Sequence, residues 1–236
     1  ELGTEDGETF ANVDTAEELL EAINNGVENI TLDGNIDLND LLTAGTLSTR
    51  ASEPALVVAA ENTMTIDLNG YTISQTKTQT AAHSMITNNG TLTILDSKGN
   101  GKLSYKDEGN GGNYVSNTIQ NSGILTIEGG IFENNSVEAV ATNGFPHPID
   151  NSGKLVINGG IFTNNANYSS MRIWCTTDDD TEVTINGGTF NGCIDLQNVS
   201  QSANKGILTI NGGTFNADTY TKSAVRLLGF GTDVDE

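Results

Sequence analysis

Four segments of this chain are near copies of one another: LTIEGGIF from Leu125, LVINGGIF from Leu155, VTINGGTF from Val183 and LTINGGTF from Leu208. Looser versions stand earlier, MTIDLNGYTI from Met64 and LTILDSKGNGKL from Leu92. Their central isoleucines, Ile66, Ile94, Ile127, Ile157, Ile185 and Ile210, follow one another at spacings of 28, 33, 30, 28 and 25 residues. A unit of this length that buries one face only against its neighbours makes a solenoid, and the spacing matches one turn of a three-sided β-coil with loops of variable length.

Within each unit the apolar residues alternate. Leu125 and Ile127 are therefore expected to face inward and Thr126 outward, with the Gly-Gly pair bending the chain and Phe132 carried onto the next face. A second motif precedes each copy: MITNNG from Met85, TIQNSG from Thr118 and PIDNSG from Pro148. It puts Ile86, Ile119 and Ile149 inward and Asn88, Asn121 and Asn151 at one repeated corner. Side-chain amides stacked at the rung spacing can hydrogen-bond along the column and satisfy the turn's backbone groups.

These motifs, from about Ile30 to Leu227, resemble the right-handed parallel β-helix superfamily, the pectin-lyase-like fold, and in particular the Gly- and Asn-rich repeats of exported bacterial proteins. The expected fold is thus all-β, a single-stranded right-handed parallel β-helix with a short N-terminal capping α-helix. The superfamily holds lyases, hydrolases, adhesins and phage tail parts, so the resemblance implies the fold and leaves the function open.

Residues 1–29 are expected to form an N-terminal tail and the capping helix, and 30–236 the β-helix, as one domain overall. An open first coil would present unpaired backbone, and DTAEELLEAINNG supplies a cover. Thr15 with Glu18 makes a capping box, Leu19, Leu20 and Ile23 an apolar stripe, and Gly26 a stop. The acidic opening from Glu1 to Glu8 reads as a mature N-terminus or a spacer, with no signal peptide in it. Residues 39–54 read as a loop leaving the wall, and Leu228 and Phe230 as a cover for the last coil.

The chain carries 31 acidic against 10 basic residues, a formal net charge of -21. Such a field repels phosphate backbones and anionic membrane surfaces, which argues against nucleic acid as a partner. It also opposes anionic glycans unless a cation bridges the like charges. The longest apolar run, Ala55 to Ala60, is far short of a membrane span, so no membrane insertion is expected. Cys175 and Cys193 fall on opposite sides of the wall in the simplest register and are expected to be free thiols.

A filled solenoid interior leaves only outer faces and loops for a ligand. Outward positions beside the Ile-Asn motif are Thr87, Gln120, Asp150, Trp174, Asp195 and Arg226, with Arg172 beside Trp174. Trp174 offers an aromatic platform for a sugar ring, Asp150 and Asp195 accept from hydroxyls, and Arg172 and Arg226 are fork-shaped donors. The competing reading of the same residues is a tryptophan under a loop and arginines solvating an acidic wall.

As an enzyme, the chain would use Asp150 and Asp195 as acid and base on a glycosidic bond, as the resemblance implies for β-helix hydrolases. The paired-aspartate, Gly-His and Arg-x-Lys motifs of that kind are missing. Asp178, Asp179 and Asp180 form a turn that could hold calcium weakly, and no other cofactor is expected. His147, in the rigid FPHP segment, suits a turn better than a base. The sequence reading is therefore a non-catalytic extracellular or cell-surface module, adhesin-like or glycan-binding, either a monomer or one part of a multidomain chain. Its alternative is a polysaccharide lyase or glycoside hydrolase acting on an outer face.

Overall fold

The computed structural model describes residues 2–5, 7–43, 55–77, 84–108, 117–136, 146–164, 171–175, 181–198, 206–217 and 223–229. Its strands fall into three stacked sheets, of nine, seven and seven strands. The chain visits them in rotation, so successive coils lie side by side and pair in parallel. One coil runs Ile119–Asn121, Ile124–Ile127 and Ile131–Asn134, and the next Ile149–Asn151, Lys154–Ile157 and Ile161–Asn164. This is the arrangement of a β-solenoid with three walls, named here for the residues that repeat along them: an Asn wall, an Ile wall and a Phe wall.

The register bears out the alternation read from the sequence. On the Ile wall Ile66, Ile94, Ile127, Ile157, Ile185 and Ile210 are direct partners from coil to coil. On the Phe wall Phe132, Phe162, Phe190 and Phe215 pair in sequence, their rings stacked at 5.0, 4.9 and 5.0 Å with interplanar angles of 13°, 8° and 6°. Like residues stack because each coil repeats the phase of the last, and the aromatic column adds ring contact to the burial of apolar area.

Glycine is obligatory at the corners because the coils approach too closely for a side chain. A Cβ on Gly153 would stand 2.2 Å from the Gly123 carbonyl oxygen, and one on Gly123 would stand 2.1 Å from that of Gly90. At the other corner Gly130, Gly160, Gly188 and Gly213 adopt φ of 101°, 98°, 100° and 114°, a region in which L side chains are strained.

The Asn wall carries the ladder that the corner motif implied. Asn88 Nδ2 donates to Asn121 Oδ1 at 2.7 Å, and Asn121 Nδ2 to Asn151 Oδ1 at 2.6 Å, all three fully buried. The same amides also reach the carbonyls of Ile124, Lys154 and Gly153, which satisfies the polar atoms that the column takes out of water. A second ladder runs outside the Gly-Gly corner, with Asn186 donating to Asn158 and Asn211 to Asn186, both at 2.8 Å and both exposed.

The N-terminal end is covered. Helix α1 (Ala16–Asn24) is capped by Thr15, whose hydroxyl accepts from Glu18 N, while the Glu18 carboxylate accepts from Asp14 N. It buries Ala16, Leu19, Ala22 and Ile23, with Leu20 half-buried. The residues ahead of it are strand rather than tail. β1 (Leu2–Glu5) pairs antiparallel with β2 (Glu8–Val13), and β2 joins the Ile wall in parallel through Asn29–Leu32. Asn39–Thr43 is a short helix where the sequence suggested loop. Phe230, and the side chain of Leu228, lie outside the described residues.

Candidate functional site

The outer face of the Asn wall holds four of the five sequence-predicted binding residues in one column. Parallel register sets Gln120 beside Asp150, Asp150 beside Arg172, Arg172 beside Asp195 and Asp195 beside Arg226. Four consecutive coils thus alternate negative, positive, negative, positive at the strand spacing of about 4.8 Å.

The alternation is used pairwise. Arg172 Nε donates to Asp150 Oδ1 at 3.0 Å and its Nη2 to Asp150 Oδ2. Arg226 repeats the fork one pair along, with Nε to Asp195 Oδ1 at 2.8 Å and Nη2 to Asp195 Oδ2 at 2.7 Å. Bidentate guanidinium-carboxylate contacts of this kind are the strong form of the ion pair. The first is dry, with Asp150 8% and Arg172 7% exposed, whereas in the second Asp195 is 1% exposed and the Arg226 side chain 32%.

Neighbouring polar groups add to these contacts. Asn117, which the sequence reading passed over, donates from Nδ2 to Asp150 Oδ2 at 3.1 Å and accepts from His147 N at 3.1 Å. His147 is buried within the Pro146–Pro148 segment, where Asn134 Nδ2 donates to the His147 carbonyl and Asn164 Nδ2 to that of Pro146. Cys193 is a free, buried thiol that lies 3.4 Å from Asp195 Oδ1. The side chain of Cys175 lies outside the described residues.

Trp174 does not occupy the column in which the sequence reading put it. Met171, not Ile173, pairs with Ile149, so Arg172 stands beside Asp150 while Trp174 lies two residues on, opposite Gln197. The tryptophan side chain and the run Asp178 to Asp180 lie outside the described residues. Among those described, no three His, Cys, Asp or Glu side chains gather as a cation site requires, and no helix is long and apolar enough to cross a membrane.

Asp150 and Asp195 are two coils apart, about 10 Å at the strand spacing, with Arg172 between them. Separation alone is near that of an inverting pair of glycosidase carboxylates, which flank a sugar with room for a water. Here both oxygens of each carboxylate are already engaged by a guanidinium. A buried lysine lies on another wall. Burial pushes the Lys77 ammonium down from its ordinary 10.5, and the neighbouring Asp107 carboxylate partly restores it.

Comparison with protein-family models, curated proteins and solved structures finds no match.

Proposed function

We propose that the chain is a right-handed parallel β-helix of the pectin-lyase-like superfamily, acting outside the cell as a non-catalytic, adhesin-like module whose partner is a glycan or a surface protein. The hand follows from the parallel pairing of successive coils, since crossovers between parallel strands of one sheet are right-handed in nearly all proteins. The superfamily assignment rests on the repeat and on the in-register columns it builds.

The observation that carries the non-catalytic reading is the engagement of Asp150 and Asp195 by Arg172 and Arg226. Carboxylates that exchange protons with a substrate must face it, and these two are each forked to an arginine of the next coil. The ion column then stiffens the wall beneath a contact surface. That surface centres on Trp174 on the neighbouring pleat, with Arg226, the member of the column whose side chain is 32% exposed, at its edge.

The test is a glycan array probed with the purified chain, with and without calcium, followed by product analysis on every polysaccharide bound. Binding without cleavage, lost in Trp174→Ala at unchanged melting temperature, is the expected result. Release of shorter or unsaturated products would overturn the non-catalytic reading. Binding that survives Trp174→Ala would remove that face.

A further inference from the structure

The corner at which the Ile wall turns into the Phe wall changes character along the stack. In the earlier coils it holds Asp67, Asp96, Lys98 and Glu128. In the segments that supply it later, residues 155–164, 183–191 and 206–216, no side chain is charged, although the chain carries a net charge of -21. Charges border this face without entering it. Lys154 and Glu182 pair at 3.5 Å on the far edge of the Ile wall, Glu133 of the coil below pairs with Lys102 at 3.2 Å, and Asp218 follows the last segment in sequence.

Amides and hydroxyls fill the space. On the Ile-wall side Asn211 donates to Asn186, Asn186 to Asn158 and Asn158 to the Glu128 carboxylate, at 2.8, 2.8 and 2.9 Å. On the Phe-wall side Asn216 donates to Asn191 at 2.8 Å and Asn191 to the Thr163 hydroxyl at 3.1 Å. Between these two ladders lie the Gly-Gly pairs and the outward Ile161, Thr189 and Thr214. The first glycine of each pair has no room for a side chain: a Cβ on Gly159, Gly187 or Gly212 would stand 2.6, 2.5 or 2.6 Å from a carbonyl oxygen of the coil below.

An amide has two N–H groups and two acceptor lone pairs. Asn158 and Asn186 spend one of each on the ladder and, being exposed in the middle of the stack, turn the others to solvent. The ladder fixes their orientation, so a ligand meets donors and acceptors that are already ordered. These groups repeat at the strand spacing of about 4.8 Å, close to the length of one sugar in an extended chain. Sugar hydroxyls both donate and accept, which matches an amide edge, and a straight column suits the extended course of a β-linked chain.

We propose that this corner binds a neutral, linear β-linked polysaccharide laid along the solenoid axis, one sugar to a coil. The inference shares the glycan partner of the reading above and adds a second contact, on the corner that faces away from the Asn wall and Trp174. Neutrality follows from charge. An anionic polymer would meet the field of an acidic chain with no basic side chain on this face to offset it, whereas hydroxyls dock here without stripping water from an ion. Several coils act together, so a polymer is held where a short glycan is not.

Affinity electrophoresis of the whole chain tests this, in native gels cast with hydroxyethyl cellulose or with its anionic counterpart, carboxymethyl cellulose. The neutral polymer should retard the chain and the anionic one should not. Asn186→Ala removes the amide offered to the sugar and unties its neighbours, so it should weaken binding about tenfold without altering the charge of the chain. Asn191→Ala, on the other ladder, should weaken it as well. Thr76→Ala, exposed on the Phe wall of an earlier coil, should leave it unchanged, with circular dichroism melts establishing that the variants fold. No retardation by hydroxyethyl cellulose, equal retardation by both polymers, or retardation indifferent to Asn186→Ala would overturn the proposal. Retardation lost in Trp174→Ala but kept in Asn186→Ala would assign the binding to the Trp174 surface, so the two contacts fail separately.

Discussion

The two asparagine ladders differ chiefly in burial, and that makes a controlled experiment. In the buried ladder Asn121 sits between Asn88 and Asn151 at 2.7 and 2.6 Å; in the exposed ladder Asn186 sits between Asn158 and Asn211 at 2.8 Å on both sides. Truncation of Asn121 to Ala leaves Asn151 Oδ1 buried with no donor, a desolvation cost of about 1–3 kcal/mol. Asn88 Nδ2 loses one of its two acceptors, which adds about 1 kcal/mol, although it keeps the Ile124 carbonyl at 3.0 Å. The expected loss is thus about 3 kcal/mol. Asn186→Ala breaks two amide bonds of 2.8 Å, but water replaces them, and the expected change is within about 0.5 kcal/mol. Urea unfolding of both variants, with the slope checked against wild type, measures the contrast. Equal destabilisation by the two substitutions would refute the argument that burial, rather than the amide contact itself, gives the ladder its stabilising effect.

Other perturbations are equally specific. Gly153→Ala puts a methyl group 2.2 Å from a backbone carbonyl and should cost about 3 kcal/mol, whereas Gly129→Ala, whose nearest neighbour would be 3.9 Å away, should be tolerated; thermal melts compare them. Because the folded pKa of Lys77 is depressed, the unfolded chain binds the proton more tightly. Stability contributed by this group therefore rises with pH from the folded pKa up to 10.5. Lys77→Met should abolish that rise, and parallel denaturation curves for both proteins from about pH 8 to 10.5 would expose an unchanged slope if the reasoning is wrong.

What could be read from the sequence was set by whether a residue marked the phase of its coil. The central isoleucines and the Asn-Ser-Gly or Asn-Asn-Gly corners recur in each copy, and the columns they predict are the columns observed. Trp174 went astray because its strand lacks the marker. Ile173 replaces the corner asparagine, and since Met171 and Ile173 are both apolar and two residues apart, alternation admits either as the partner of Ile149. A slip of two residues preserves which side faces in while moving every outward residue one place along.

The pairing of Asp150 with Arg172 and of Asp195 with Arg226 was hidden for a related reason. The partners are 22 and 31 residues apart, so the forks become visible only when the register is known. The strand character of Glu8–Val13 was masked by composition, because its only fully buried side chains are Ala11 and Val13 and the rest is polar. Position in the stack, not local pattern, recruits it to the wall.

The stacking of whole coils has a mechanical consequence. Tension along the solenoid axis loads the ladder hydrogen bonds end-on, so the coils peel singly, beginning at the terminal one, instead of shearing together. A coil of 28 residues, the spacing from Ile157 to Ile185, pays out roughly 95 Å of extended chain on peeling, having occupied about 4.8 Å of axis. A stack built this way yields in steps, each coil lengthening about twentyfold as it peels.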